Sequence, residues 1–454
     1  MASIAASIAR IKQDVLGALD REAVEAVCAE VGHGWRDREL DPATTVALFV
    51  QQVLHGNVAC SEVRHLAAAG KAFTPSAYCQ ARARLPLAVV QNLLTRVCEA
   101  ALPATRHADR LWLGRHRVFH VDGSTFSMPD TPELRRAFGL PSGPEPGCGF
   151  PTAHLLVLFH AQSGLLLDAW ASPLRTGDLA QVPEAHMHLD AGDVLIGDES
   201  FSSYAHLAML MRLGLHGLFP LHRRRVADFT EGRPHSTAGG GRDRVAGAAR
   251  SRWVRSLGEQ DQLVEYFKPR DLPAWMSRQE YDALPASIVV RELRRTVRRP
   301  GLGSVTLKMV TTLLDPAGYS AAELLELRLR RWDVETNLRH LKITMNMDVL
   351  RCKSEAGVRK ELAVFCLVHN LVRVVMLEAA TRQQVPVARV SFADALKWAR
   401  HARPGEALRP LLVNPRRPDR PEPRCKKRRP KQYDLMNKPR DVLRKNLKKQ
   451  RKNA

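Results

Sequence analysis

Arg117-Val118-Phe119-His120-Val121-Asp122 is the stretch that decides the fold, because its apolar residues predict a buried strand that leads into a carboxylate. Strand patterns also occur at 154–160, 164–170, 193–198 and 216–221, and a helical pattern occupies 201–213. Consecutive strands followed by alternating helix and strand are typical of a mixed sheet flanked by helices. We therefore predict an α/β fold.

Five regions are expected along the chain, separated by changes in pattern and charge. They are a helical domain at 1–105, the first part of an α/β core at 106–222, a β-rich insertion at 223–305, the second part of the core at 306–385 and a basic C-terminal region at 386–454. The second core part begins with a strand pattern at 306–314 and continues with two long predicted helices, at 321–341 and 354–380. The insertion would thus interrupt a single catalytic core.

The chain is strongly basic, since its 454 residues include 69 Lys and Arg against 47 Asp and Glu, a formal net charge of +22. From Pro421 onward, 14 basic residues stand against 3 acidic ones, so the tail carries half of this excess and is predicted to be disordered. Such a charge favours binding to polyanions, nucleic acid first. No run of about 18 apolar residues is present, so we expect no membrane partner.

The cysteines and histidines favour a reducing compartment and argue against a zinc site. The 8 cysteines include no C-x-x-C pair and no Cys/His group at zinc spacing, which indicates free thiols in a cytoplasm. His186 and His188 form an isolated H-x-H pattern, for which an ordinary loop or strand is favoured over zinc binding.

Three carboxylates stand at positions where the chain would bring them together. Asp122 and Asp198 each end a predicted core strand, and Glu335 lies in a predicted helix. Clustered carboxylates repel one another unless a cation holds them, and oxygen ligands of this kind suit Mg²⁺ or Mn²⁺. Two such ions would support phosphoryl displacement. The alternative for each aspartate alone is that it caps a turn or a helix.

The helix predicted at 321–341 carries cations on the same face as its acid. Arg328, Arg331, Glu335 and Lys342 lie at i−7, i−4, i and i+7, so they would share one stripe. A neighbouring stripe is expected to pack inward; it consists of Leu325, Leu329, Trp332 and Thr336. The charged stripe suits a site that holds metal and phosphate, and an ordinary solvent face with i, i+4 pairing remains the alternative.

A short helix is predicted over 76–86 in the N-terminal domain. It would place Gln80 and Arg84 on one side, as an i, i+4 pair. Contact with DNA and an ordinary solvated face explain this pattern equally well.

Several of these segments resemble one family. Arg331, Glu335 and Lys342 match the Y-(2)-R-(3)-E-(6)-K signature of bacterial insertion-sequence transposases of the DDE class, insertion-sequence-four type, with Arg328 in the place of the signature Tyr. Similar segments elsewhere in the chain are Asp122-Gly123-Ser124, Gly197-Asp198, Gln80 to Pro86 and Met345 to Lys353. The resemblance covers roughly residues 40–380.

This resemblance implies an RNase H-like catalytic core, a mixed sheet flanked by helices that a β-rich insertion interrupts. The metal-binding and catalytic triad would be Asp122, Asp198 and Glu335, holding Mg²⁺ or Mn²⁺, with two ions expected. Residues implied to lie on DNA are Arg328, Arg331, Lys342, Gln80 and Arg84. Relatives use an aromatic side chain of the insertion to hold a flipped base, for which Trp253 and Trp275 are both candidates, although a packed core Trp is the alternative for each.

The function implied is metal-dependent cleavage at insertion-sequence ends, followed by strand transfer into target DNA. The partners would be terminal inverted repeats, target DNA and a second protomer in a synaptic complex, in the bacterial cytoplasm at the nucleoid. Two alternatives remain: a structure-specific Mg²⁺-dependent DNA nuclease of the same fold without strand transfer, and a basic DNA-binding protein that is not an enzyme.

Deletion of residues 421–454 tests the role of the tail. Each phosphate contact releases counterions, so loss of the tail should flatten the dependence of DNA affinity on salt. The measurement is the slope of log affinity against log salt for the full chain and the truncated chain. An unchanged slope would leave the tail as a solvated extension.

Overall fold

The structure is a computed structural model, and it describes most of the chain. The described residues are 19–36, 38–66, 73–102, 111–142, 148–235, 249–299, 303–402, 406–415 and 438–453. Residues 1–18 of the expected helical domain and 416–437 of the expected tail lie outside them.

Helices form the described N-terminal part, as predicted. They are α1 (Arg21–Glu30), α2 (Pro42–Leu54), α3 (Pro75–Arg84) and α4 (Leu87–Ala101). Carboxylates begin the first two: Asp20 accepts from the amide of Ala23 at 2.8 Å, and Asp41 accepts from that of Thr44 at 2.7 Å. These caps satisfy amides that have no partner within the helix. Apolar faces of α1, α2 and α4 pack into the largest hydrophobic cluster.

Nine strands of the described part of the chain form one sheet. They are β1 (Val118–Ser127), β2 (Thr152–His160), β3 (Leu166–Pro173), β4 (Val194–Ile196), β5 (His216–Pro220), β6 (Arg252–Gly258), β7 (Asp261–Phe267), β8 (Ser287–Arg299) and β9 (Gly303–Thr311). The order is β3-β2-β1-β4-β5-β9-β8-β7-β6. The strands β1 to β3 are antiparallel neighbours, whereas β4 and β5 run parallel to β1. This five-strand arrangement is RNase H-like, and the predicted α/β fold is confirmed.

Strand β1 is longer than the sequence indicated. Asp122 lies in the middle of β1, paired with Val157 of β2, and does not end the strand. Gly123 is a weak strand former, but nine consecutive pairs with β2 keep the segment from Phe119 to Ser127 extended. Tertiary pairing therefore overrides the low strand propensity of glycine.

The strands of the predicted insertion continue the core sheet. Strand β9 pairs with β5 of the core on one side and with β8 on the other. The free edge of β5 would otherwise expose unpaired amides and carbonyls, which explains why it takes a neighbour. A short helix, α8 (Arg278–Asp282), lies between β7 and β8.

Several shorter helices flank the core strands. They are α5 (Pro132–Phe138), α6 (Val182–His186) and α7 (Tyr204–Arg212). Helix α7 and the strand β5 that follows it correspond to the helix and strand predicted at 201–213 and 216–221. Two of these helices contribute to the second hydrophobic cluster, with Ala185 of α6 and Leu207 of α7 fully buried.

The prediction of a single helix at 321–341 is wrong, because this segment divides into three parts. Its parts are α9 (Ala321–Leu329), α10 (Trp332–Arg339) and a π-helical turn at His340–Thr344. The predicted inward stripe is wrong for two of its members. Trp332 is 64% exposed and Leu329 is 38% exposed, whereas Leu325 packs against a hydrophobic cluster. The buried residues Leu324, Leu327, Val334 and Leu338 keep the spacing of one helical face across residues 330–331, so the face that packs inward lies beside the predicted stripe.

Helix α11 (Glu355–Gln383) runs through the largest cluster and packs against α4, α2 and β3. Among the described helices it alone is long and apolar enough to cross a membrane, but 78% of its most apolar window is buried inside the protein. Helix α12 (Phe392–His401) packs beside it.

The prediction that the whole C-terminal tail is disordered is wrong for its last part. There, α13 (Arg440–Asn453) is helical and rich in Arg, Lys and Leu, which favour helix.

A buried ion pair anchors β8 to β7. Arg291 donates to both carboxylate oxygens of Asp261, at 2.8 and 2.5 Å, and to the carbonyl of Tyr319 at 2.7 Å. Its side chain is 1% exposed and that of Asp261 is 4% exposed. Water cannot replace either partner at this depth.

Replacing Arg291 with Met should therefore lower the free energy of unfolding by about 3–5 kcal/mol, because Asp261 would remain charged and unpaired. The double replacement Arg291→Met with Asp261→Leu should cost clearly less. Urea unfolding of the wild type and these two variants measures both values. Equal losses in the single and double variants would contradict the assigned pairing.

Candidate active site

Asp122 and Asp198 lie side by side because β1 and β4 are parallel. The register pairs Val118 with Val194 and His120 with Ile196, so two residues further Asp122 and Asp198 reach the same level. Neighbouring strands are about 4.8 Å apart. Asp198 also caps a 3₁₀ turn, accepting from the amide of Ser200 at 2.8 Å and from its hydroxyl at 2.6 Å. Asp198 therefore caps a turn and also lies beside Asp122.

Arg331 connects Glu335 to this pair. Its guanidinium lies 3.5 Å from Asp122 Oδ2 and 3.1 Å from Glu335 Oε1. The side chain of Asp122 is 14% exposed and that of Glu335 is 41% exposed, so the site opens to solvent on the side of α10. Among the described residues no three His, Cys, Asp or Glu lie close enough to form a metal-binding group, because the guanidinium stands between two of the acids.

The charge around Asp122 suits a cation. Burial raises the pKa of its carboxyl to about 6, the Arg331 guanidinium lowers this pKa, and the carboxylates of Asp198 and Asp178 raise it. Burial is the largest of these effects, and the two neighbouring carboxylates add to it against the arginine. Hard oxygen donors that repel one another in this way fit a divalent ion. We conclude that the residues present are compatible with metal binding.

Asp178 is a fourth carboxylate that the sequence did not reveal. Its Oδ1 accepts from His154 Nε2 at 2.7 Å, and its Oδ2 lies 3.5 Å from the hydroxyl of Ser200. A Cβ at position 123 would stand 2.1 Å from Asp178 Oδ1, so only glycine fits there. Asp178 begins a short 3₁₀ helix, Asp178–Gln181, directly after Gly177, and no local sequence signal distinguishes it.

The π-helical turn brings Lys342 to β1. Its ammonium donates to Ser124 Oγ at 2.9 Å, two residues beyond Asp122, and burial lowers its pKa. One extra residue in a helical turn re-aims the side chains that follow, and such turns are frequent at functional sites. The segment after this turn is tied to the end of β1, since Ser127 donates to the carbonyl of Asp348 at 3.0 Å.

The other predicted DNA-contact residues lie outside this cluster. Arg328 is half-buried at the end of α9. Gln80 and Arg84 are both exposed on α3, as the i, i+4 spacing predicted. Arg84 lines a cavity of about 450 Å³ together with Trp35, Arg36 and Arg38.

Neither tryptophan of the insertion lies free. Trp275 packs against the second hydrophobic cluster. Trp253 is half-buried on the edge strand β6, and its buried indole N–H has no partner among the described residues.

The two histidines of the H-x-H pattern contact different residues. His186 Nε2 is 3.1 Å from His206 Nε2, and His188 is 3.4 Å from Asp168.

Comparison with known proteins identifies relatives of one kind. Residues 113–371 match the family described as "Transposase DDE domain". The chain is 26% identical over 308 residues, 67% of its length, to the transposase InsG for insertion sequence element IS4 of Escherichia coli (strain K12). It is 27% identical over 159 residues, 34% of its length, to the putative transposase InsZ of the same organism. The matched regions span 62% and 52% of those two relatives.

A similar solved structure is that of a piggyBac transposase synaptic complex with hairpin DNA. The sequence identity is 10%, the TM-score is 0.41, and the match covers 86% of this chain and 82% of the other. The similarity is too low to add to what the strand order itself shows.

Gly123→Ala tests the close packing of Asp178 against β1. The added methyl group must displace a carboxylate that His154 holds, so the variant should lose about 1–3 kcal/mol of unfolding free energy. Gly177→Ala is the matched control, because its φ of −74° suits alanine and no atom lies within 4 Å. Equal stability of the two variants in urea unfolding would show that Asp178 is not packed against position 123.

Proposed function

Because the chain belongs to the transposase DDE domain family, we propose that it is a DNA transposase that cleaves the ends of an insertion sequence and joins them to target DNA. The proposal is supported above all by one observation: Asp122 and Asp198 lie at the same level of neighbouring strands, and Arg331 connects Asp122 to Glu335. Carboxylates gathered beside cations at an open face suit the cleavage of a phosphodiester.

The family implies dependence on a divalent metal, and we propose that Asp122, Asp198 and Glu335 hold Mg²⁺ or Mn²⁺ as two ions. When bound, the metal makes a water molecule nucleophilic and stabilises the leaving oxygen. The protein supplies the arrangement of the ligands, which β1, β4 and α10 position from three distant parts of the chain.

The cations of the site would hold the DNA. Arg331 is the group closest to the acids, and its planar guanidinium suits two phosphate oxygens at once. Lys342 is only half-buried, and its ammonium at Ser124 has further donor capacity for a backbone phosphate. The pair of His154 and Asp178 would keep Ser200 and the cap of Asp198 in place.

Recognition of the DNA ends is assigned to the N-terminal helices. Gln80 and Arg84 are exposed on α3 and would contact the terminal inverted repeats, with two protomers pairing two ends at the nucleoid. Arg328 would contact DNA in place of the signature Tyr, through charge rather than stacking. If a base is flipped, Trp253 is the better placed of the two tryptophans, because it lies on an edge strand.

Alanine replacement of Asp122, Asp198 or Glu335 should abolish cleavage of end-containing DNA in Mg²⁺ while end binding persists. Each change removes a metal ligand but no DNA contact, so the loss should reach at least about a thousandfold, of the order seen when a main catalytic interaction is removed. Cleavage is measured on labelled duplex, and binding is measured on the same duplex without divalent ions.

Glu326→Ala is the control, since Glu326 is exposed on α9 and its loss changes the net charge equally. Cleavage at the wild-type rate by all three triad variants would refute the site. A strand-transfer assay with pre-cleaved ends distinguishes the nuclease alternative, which would give no joined product. Absence of any Mg²⁺-dependent cut by the wild type would favour a DNA-binding protein that is not an enzyme.

A further inference from the structure

The hairpin of β8 and β9 extends beyond the strands on either side of it. Strand β7 pairs with β8 only as far as Leu293, and β5 pairs with β9 only as far as Met309. One further backbone hydrogen bond on each side leaves the hairpin, from Arg294 to Gln260 and from Leu221 to Lys308, each at 2.9 Å. From Arg295 and Leu307 outward, the described residues of the two strands pair only with each other, up to Arg299 and Gly303. Residues 294–299 and 303–308 are called the ribbon below.

The ribbon is unusually basic. Between Glu292 and Asp315 the sequence holds four Arg and one Lys and no carboxylate. A two-stranded ribbon without an apolar cover is only marginally stable, so cations on an exposed edge are a common protection against pairing with other chains. Five cations without one acid exceed what such protection needs, which points to a polyanionic partner.

One face of the ribbon is exposed and polar. Alternate residues of a strand share a face, so Thr296 and Arg298 lie on the same side as their partners Thr306 and Ser304, and Lys308 continues that side. All five are exposed, and the hydroxyls of Thr296 and Thr306 are 3.2 Å apart. Arg298 and Lys308, flanked by hydroxyl donors, form an exposed surface suited to phosphate oxygens.

The base of the ribbon is held rigidly on the opposite face. Arg295 donates to the carbonyls of Glu259 at 2.8 Å and Gln260 at 3.2 Å, in the turn between β6 and β7. The amide of Arg294 donates to the carbonyl of Gln260 at 2.9 Å. The exposed face is therefore presented in a fixed direction.

The ribbon extends from the same end of the sheet as Asp198, where β4 and β5 finish. Ile196 of β4 is level with Leu218 of β5, and Pro220, two residues on, pairs with Met309 of β9. Asp198 is thus level with Met309, two strands away, or about 10 Å. Ser304, the partner of Arg298, lies five residues further out, or about 17 Å, so this pair is roughly 20 Å from the carboxylates. This distance corresponds to about six base pairs of duplex.

We propose that the ribbon is a DNA-binding arm that lies in a groove of the duplex held at the active site, with Lys308 on the backbone about three base pairs and Arg298 about six base pairs from the scissile phosphate. A two-stranded β-ribbon has the width that the major groove of B-DNA admits. The inference rests on the proposed function, because that function places duplex DNA at Asp122 and Asp198.

The variant Arg298→Gln with Lys308→Gln tests the arm. Binding of the full chain to a duplex of about 30 base pairs is measured without divalent ions, across a range of salt concentrations. Loss of two phosphate contacts should weaken binding on the order of tenfold or more and make the slope of log affinity against log salt shallower by about two. At saturating protein in Mg²⁺, the cut should remain at the same position.

Two matched variants accompany this test. Arg212→Gln with Arg278→Gln removes two exposed cations from α7 and α8, and it should leave the slope near that of the wild type. Arg298→Lys with Lys308→Arg keeps both charges and should restore affinity, which also excludes a folding defect as the cause.

Neutral methylphosphonates about three and about six base pairs from the cleavage point locate the two contacts. They should weaken binding of the wild type but have little further effect on the Gln variant, because both contacts are already lost. Equal salt slopes for the Gln variant and the wild type, or equal losses in the Gln variant and the Arg212/Arg278 control, would overturn the arm. A wild-type chain that binds duplex but never cuts it would overturn the proposed function, whereas the salt slopes would still decide whether the ribbon binds DNA.

Discussion

The parallel pairing of β1 with β4 is the constraint on which the site depends. It places two aspartates, 76 positions apart in the sequence, at the same level of one sheet. Burial and mutual repulsion then raise the pKa of Asp122 to about 6, so the fold maintains a carboxylate in an unfavourable environment. A protein that keeps such a cluster has a use for a cation there. The arrangement costs stability, and the large cluster around α11 offsets that cost.

The cations around this cluster have two successive partners in the proposed mechanism. In the structure, Arg331 neutralises part of the charge of Asp122 and Glu335, and Lys342 is held by Ser124. A metal ion that takes over the carboxylates would leave the guanidinium to bind phosphate instead. In this proposal the same side chain stabilises the metal-free fold and would then bind DNA. The break before α10 and the π-helical turn after it are the local distortions that aim these two side chains at β1.

Features with a strong local pattern could be predicted from the sequence, and features set by tertiary contact could not. The apolar strands leading to Asp122 and Asp198 indicated the mixed sheet, and the Arg-Glu-Lys spacing indicated the family. Asp178 was missed because its role depends on Gly123, which is close only in the fold. The break before α10 was missed because residues 330–331 are good helix formers. Pairing of β9 with β5, which joins the insertion to the core sheet, leaves no signal in either strand alone.

The position of a bound Mn²⁺ ion tests the central claim most directly. A crystal of the full chain with cleaved end DNA, soaked in Mn²⁺, would locate the ion by anomalous scattering. Our account predicts a peak within about 2.0–2.3 Å of oxygen atoms from both Asp122 and Asp198, with Glu335 turned toward it and Arg331 moved to a phosphate. A peak bound by other residues, with the Arg331 bridge to Asp122 and Glu335 intact beside the DNA end, would contradict it.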